Sequence, residues 1–273
     1  MNRISQTVPY QYDTGFSPYK VTELDRALSD LEAFGFTGVE FAVAYPDQVD
    51  ADAMLSKAEA HKLAVTTLST GQIVGLAGIT MTAPDEETRK KAADVIRGHI
   101  ELSSRIGRPP VTIGLLRGKC EGEDKAVYEK RFLETLLPCL DFAEKKNVFV
   151  QVEPINRNEC GFIKSTADWF DIYEKAGRPQ KLSMLFDVFH SRIEDDDTCK
   201  AIERAGKHIT NVHFADSNRG LPGTGEMDYP ALYKAFMKAN YKGAFALETK
   251  CVPSVEYVLE HYADSIKTIV TER

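Results

Sequence analysis

The sequence lacks several features that would have assigned it to well-known classes. Its five cysteines, at positions 120, 139, 160, 199 and 251, are odd in number, scattered and never in a Cys-x-x-Cys pair. That spacing fits neither a disulfide framework nor a thiolate metal site, so reduced thiols are expected. No apolar run approaches the roughly 20 residues a membrane-spanning helix needs. The polar start Met1-Asn2-Arg3-Ile4-Ser5-Gln6 does not resemble a signal peptide, and the expected compartment is cytoplasmic. Positive charge is in deficit: 34 Lys and Arg against 41 Asp and Glu give a formal net charge of −7. This argues against a nucleic-acid backbone or a membrane surface as main partner and leaves small molecules. Gly223-Thr224-Gly225 is no dinucleotide fingerprint, because Asp228 stands where the third glycine belongs. Linkers and low-complexity tracts are also missing, so residues 1–273 are expected to form a single domain; assembly into a homo-oligomer is left open.

What the chain does have is a repeated beat of short apolar segments and longer amphipathic ones. Strands are expected at Thr7 to Tyr10, Gly38 to Ala42, Leu63 to Leu68, Val111 to Leu115, Val148 to Val152, Leu182 to Phe186, Ile209 to Val212 and Ala244 to Leu247. Helices are expected at 22–34, 51–62, 85–106, 125–146, 166–176, 197–205, 229–239 and 255–270, with Trp169 packing helix five. A loop carrying Gly71, Gly75 and Gly78 follows the third strand. Eight strand-helix units, with strands that are apolar throughout, indicate a parallel sheet covered by helices and closed into an α/β (β/α)8 TIM barrel.

In such barrels functional groups sit at the C-terminal ends of strands. The last four strands each lead straight into a residue able to bind a divalent ion: Glu153, Asp187, His213 and Glu248. Three carboxylates and one imidazole form a mainly oxygen-donor set suited to one hard or borderline ion, Mn²⁺ first and Mg²⁺ or Co²⁺ as alternatives. The segments they open are Glu153-Pro-Ile-Asn-Arg-Asn-Glu159, Asp187-Val-Phe-His190 and His213-Phe-Ala-Asp-Ser-Asn-Arg219. Together with Pro222 to Tyr229 and Tyr241 to Glu248, these segments resemble the sugar isomerase and epimerase family of xylose-isomerase-like TIM barrels, the ketose 3-epimerases for D-tagatose and D-psicose in particular. The likeness is strongest over residues 148–250 and only architectural before that.

The resemblance implies a metal-dependent epimerase or isomerase acting on a free keto sugar. Glu153, Asp187, His213 and Glu248 would bind the metal, Glu153 and Glu248 would be the acid/base pair, and Glu159, His190 and Arg219 would hold substrate oxygens. The chemistry calls for these residue types. A C–H beside a carbonyl is too weakly acidic for a free carboxylate, and a Lewis acid stabilises the enediolate left by its removal. Two glutamates on opposite faces of that plane would then invert the carbon, whereas return of the proton to the neighbouring carbon would give aldose-ketose isomerisation. The alternative within the class is an isomerase or dehydratase of a small keto acid or inosose, similar to hydroxypyruvate isomerase or inosose isomerase. A nuclease barrel is disfavoured by the charge and by Ser69-Thr70-Gly71 at the third strand, which has no histidine. A non-catalytic sugar-binding barrel is disfavoured by the presence of both glutamates. Asp216 either hydrogen-bonds a ligand or caps a turn. Gly71-Gln72, Arg117 and the loop 118–124 are candidates for the sugar's far end, and His61, His99, His208 and His261 receive no role.

Overall fold

A computed structural model of the chain describes residues 2–270; Met1 and residues 271–273, which the single-domain expectation included, lie outside the described residues. The chain runs through β1 (Ile4–Pro9), α1 (Leu24–Phe34), β2 (Gly38–Ala42), α2 (Ala51–Ala60), β3 (Ala64–Ser69), α3 (Gln72–Ala77), α4 (Glu86–Arg105) and β4 (Val111–Ile113). It continues through α5 (Lys125–Lys146), β5 (Val150–Val152), α6 (Thr166–Lys175), β6 (Leu182–Asp187), α7 (Val188–Glu194), α8 (Thr198–Ala205), β7 (Ile209–Phe214), α9 (Tyr229–Lys238), β8 (Ala244–Leu247) and α10 (Val255–Ile269). The strands pair in parallel in chain order, and β1 closes on β8 with Gln6 opposite Leu247. The result is one closed eight-stranded barrel ringed by helices. No helix among the described residues is long and apolar enough to cross a membrane.

Local chemistry explains most boundaries. Asp50, Asp85, Asp124, Ser165 and Ser254 each accept a backbone N–H of the helix they open, a cap worth about 1 kcal/mol apiece. Gly35 ends α1 in the left-handed conformation, at φ +90°. Trp169 is 1% exposed and stacks on Tyr173, as expected of helix packing.

Several expected bounds shift. The first strand begins at Ile4 rather than Thr7, because Pro9, which has no N–H to give the ladder, closes the strand rather than opening it. The fourth stops at Ile113, since Gly114 turns the chain away from the sheet (φ −100°, ψ −109°). The fifth shortens to three residues, while β6 and β7 extend to include Asp187 and His213. The glycine loop after β3 contains the short α3, and α7 follows β6 at once, giving ten α-helices among the described residues rather than eight.

The strands also alternate more than expected. The outward side chains are mostly apolar, Gln6 excepted, whereas the lumen carries polar groups. Gln151 Nε2 donates to Thr67 Oγ1 (2.9 Å) and Thr112 Oγ1 (2.7 Å), and Gln151 Oε1 accepts from Thr210 Oγ1 (2.8 Å). Because these four side chains find partners in one another, their burial costs the fold little, and they form a polar layer beneath the mouth where the site lies.

Candidate functional site

Four strand ends bring the expected ligands together. Glu153 follows β5 directly and its N–H donates to Ile113 O across the sheet (3.1 Å). Asp187 ends β6 opposite His213 of β7, and Glu248 follows β8 with its N–H on Phe214 O (3.2 Å). One potential ligand atom from each of Glu153, Asp187, His213 and Glu248 lies within 4.8 Å of the others. Opposed donors around an ion at bond lengths of about 2.0–2.6 Å span about that range. Asp187 uses Oδ1 to cap α7, accepting from Phe189 N (2.7 Å) and His190 N (3.2 Å). Its Oδ2 and His213 Nδ1 are buried without a hydrogen-bond partner. Two such atoms aimed into one carboxylate-lined point fit a divalent cation, by the chemistry of the donor set.

The protein's own charges polarise the cluster. Burial raises the Glu153 carboxyl, and the nearby Glu248 adds to the shift against the opposing pull of His213. Burial acts to raise Glu248 too, but His213 and Arg219 outweigh it and hold that carboxyl at about 2. Burial alone would lower His213; Glu40 and Glu248 instead lift it well above the usual imidazole range.

The expected substrate-holding residues divide. Arg219 reaches the cluster, with Nη2 2.7 Å from Glu248 Oε2 and Nη1 3.3 Å from Asp187 Oδ2, and its guanidinium stacks over Phe189 at 4.4 Å. It sits at φ +62°, a strained conformation for a residue with a side chain. Asp216 holds that conformation from below: its carboxylate accepts from Ser217 N, Gly223 N and Met227 N. Of its two expected roles, Asp216 takes that of organising the turn. His190 is 2% exposed, with Nε2 3.3 Å from Arg219 Nη1 and 3.8 Å from Glu153 Oε1. On the other side of the ring, Asn156 Nδ2 lies 2.6 Å from His190 Nδ1, so the imidazole is held between Asn156 and Arg219. Glu159 is exposed at the rim and accepts from Asn156 Nδ2 (3.3 Å). The structure therefore places it beside His190 and outside the tight cluster.

Above the cluster opens a cavity of about 450 Å³ whose floor includes Glu153, His213 and Glu248. Its walls come from the N-terminal half: Asp13 to Phe16 after β1, Ser69 to Gln72 after β3, and Gly114-Leu115 after β4. Among the described residues, no Lys or Arg lines it. Gly71-Gln72 do face the cavity as expected, but Arg117 does not: it is wholly buried, with Nη1 donating to Glu153 O (2.5 Å), and no residue of 118–124 lines the space. Gly114 is needed for clearance, as a Cβ there would stand 2.7 Å from Glu153 Oε2. Sequence reasoning missed Asp13, Phe16, Gly114, Asn156 and, beneath His213, Glu40. Only Asn156 lay in a motif-bearing segment.

Fold and site define a (β/α)8 barrel with a carboxylate-histidine cluster at its C-terminal mouth that could hold a divalent ion. The profile of the xylose isomerase-like TIM barrel family matches residues 28–269, and the chain belongs to that family. It is 27% identical over 233 residues to a probable ketose 3-epimerase of Synechocystis, covering 81% of this chain and 76% of that one. It is 23% identical over 272 residues to the 3-dehydro-D-guloside 4-epimerase of Escherichia coli, covering 94% and 96%. Among solved structures, an L-ribulose 3-epimerase superposes with a TM-score of 0.80 at 23% identity, covering 100% of this chain and 89% of that one. These relatives are epimerases, and the chain is an enzyme of the isomerase class.

Proposed function

We propose that this chain is a divalent-metal-dependent epimerase of free keto sugars, of the ketose 3-epimerase type, with Glu153, Asp187, His213 and Glu248 as metal ligands. The observation that carries the proposal is the convergence of these four within 4.8 Å, with Asp187 Oδ2 and His213 Nδ1 left without hydrogen bonds. A bound divalent cation, Mn²⁺ by preference, supplies Lewis-acid stabilisation of the charge that develops on the sugar's carbonyl and hydroxyl oxygens.

The chain's own residues do the rest. Glu248 and Glu153 flank His213 Nδ1, each 3.5 Å from it, and carry the proton transfer at the carbon beside the carbonyl. In the metal-free protein their environments are unlike, with Glu248 held ionised and Glu153 pushed toward the protonated form, and in the reaction one serves as base while the other serves as acid. Reversal of the reaction exchanges the roles. Arg219 donates to substrate oxygens, His190 beside it contacts a sugar hydroxyl, and Glu159 at the rim accepts from another. The cavity wall, which carries no Lys or Arg among the described residues, favours neutral polyhydroxy ketones over sugar phosphates.

A second reading has one observation in its favour. The Escherichia coli 4-epimerase aligns over nearly its whole length, whereas the Synechocystis relative aligns over 76% of its own. Epimerisation beside the ketone of an oxidised glycoside would use the same acid/base pair. Incubating the Mn²⁺-loaded enzyme with free ketopentoses and ketohexoses, their phosphates, keto-glycosides, hydroxypyruvate and inososes decides between these. The proposal expects epimers of the free ketoses; turnover of phosphates or keto acids alone would overturn it.

A further inference from the structure

Beneath the cluster, on the half of the barrel that contributes no metal-type ligand, Glu40 of β2 buries its carboxylate completely. A carboxylate in a protein interior is costly unless its partners compensate for lost water. Glu40 Oε1 accepts from Thr7 Oγ1 (3.3 Å) on the adjacent strand, and Oε2 accepts from Asn211 Nδ2 (3.4 Å). Its nearest partner lies across the lumen: Oε2 is 3.0 Å from His213 Nε2. Asn211 and His213 are two residues apart on β7, so both reach the lumen from one face of a strand that is not a neighbour of β2. The imidazole is therefore a bridge, with Nε2 on Glu40 and Nδ1 turned toward Glu153 and Glu248 without a hydrogen-bond donor or acceptor of its own.

A carboxylate only accepts hydrogen bonds, so Nε2 facing Glu40 must carry a proton. In the neutral ring this leaves the lone pair on Nδ1, the atom aimed at the ligand oxygens. We infer that Glu40 is a positioning residue for the metal centre, holding the His213 proton on Nε2 and the ring plane in place so that the Nδ1 lone pair points at the cation. The inference rests on the metal reading above. It also explains why the fold retains a charged side chain in its lumen where an apolar one would be less costly to bury.

The test uses the full chain, stripped of metal and titrated with Mn²⁺ by calorimetry, comparing Glu40→Gln, Glu40→Met, His213→Ala and the Glu40→Met/His213→Ala double variant. Partners that orient a ligating histidine are worth about 10- to 100-fold in metal affinity. Glu40→Met is expected to weaken binding by about that factor, and Glu40→Gln by less, since its amide oxygen still accepts from Nε2. If the Met variant fails to fold, the Gln variant carries the measurement, with Co²⁺ in place of Mn²⁺ so that the visible spectrum reports a disturbed nitrogen ligand. Because Glu40 acts through His213, adding Glu40→Met to His213→Ala should change the remaining affinity little. Wild-type affinity and an unaltered Co²⁺ spectrum in a folded Glu40 variant would overturn the inference, as would losses that simply add in the double variant. Undiminished Mn²⁺ binding by His213→Ala would instead defeat the metal reading itself, so the two failures are distinguishable.

Discussion

The half of the barrel from β5 to β8 supplies every side chain of the four-residue cluster, and the half from β1 to β4 supplies none of them. The first half contributes instead the cavity wall at Asp13 to Phe16 and Ser69 to Gln72, the clearance at Gly114 and the buried anchor Glu40. On the proposed function, chemistry depends on atoms fixed by consecutive strand ends, and substrate choice on loops free to vary in length and residue type.

Breaking the C-terminal half should have the largest effect. Glu153→Gln or Glu248→Gln is expected to lower kcat by about a thousandfold or more, measured as epimer formation with metal content determined in parallel. The pair together should cost little more than either alone, because the two act as a unit. An effect of about a hundredfold is expected from Gly114→Ala, in the other half, because its Cβ displaces the Glu153 carboxylate and a shift near 1 Å is enough for that loss. Wild-type turnover in that variant would show that the wall does not constrain Glu153.

Metal binding should sharpen the comparison through pH. Glu40 and Glu248 outweigh burial and raise His213 well above its usual value. The proton therefore stabilises the metal-free fold most fully below the ordinary imidazole pKa of about 6.5, and that contribution is lost as pH rises through the raised value. A cation must displace the His213 proton, and the Glu153 proton too wherever that raised carboxyl still holds one, so Mn²⁺ affinity is expected to climb by about tenfold or more per pH unit up to the raised His213 value, with at least one proton released per ion in calorimetry across buffers. Affinity independent of pH would remove His213 from the ligand set. The smallest effect belongs to the wall: Phe16→Ala or Gln72→Ala should raise KM for a ketose by about tenfold or less and leave kcat nearly unchanged, since these groups touch substrate and transition state alike.

The difference between the halves also decided what could be read from the sequence. Glu153, Asp187, His213 and Glu248 were legible because each ends a short apolar run, and because His190 and Arg219 follow at fixed spacing. Eight alternating units made the barrel legible too. Glu40 was not, because a glutamate in the middle of Gly-Val-Glu-Phe-Ala carries no sign that its strand faces a polar lumen, and its partner His213 is far along the chain. Arg117 misled for the opposite reason: a lone arginine after a strand suggests an open site, yet it turns inward onto Glu153 O. Phe16 and Asp13 lie in a loop with no periodicity, and only closure of β1 against β8 carries that loop over the cluster.

The most direct test is exchange of the reacting proton. Metal-stripped protein, with its ion content checked by elemental analysis, is incubated with a free ketose in D₂O before and after addition of Mn²⁺, and the sugar is followed by NMR. Deuterium should enter at the inverted carbon only once Mn²⁺ is present, and Glu248→Gln protein that retains its metal should lose inversion. Inversion with deuterium uptake in the metal-free protein, or wild-type inversion by that metal-loaded variant, would contradict a metal-assisted two-carboxylate epimerase.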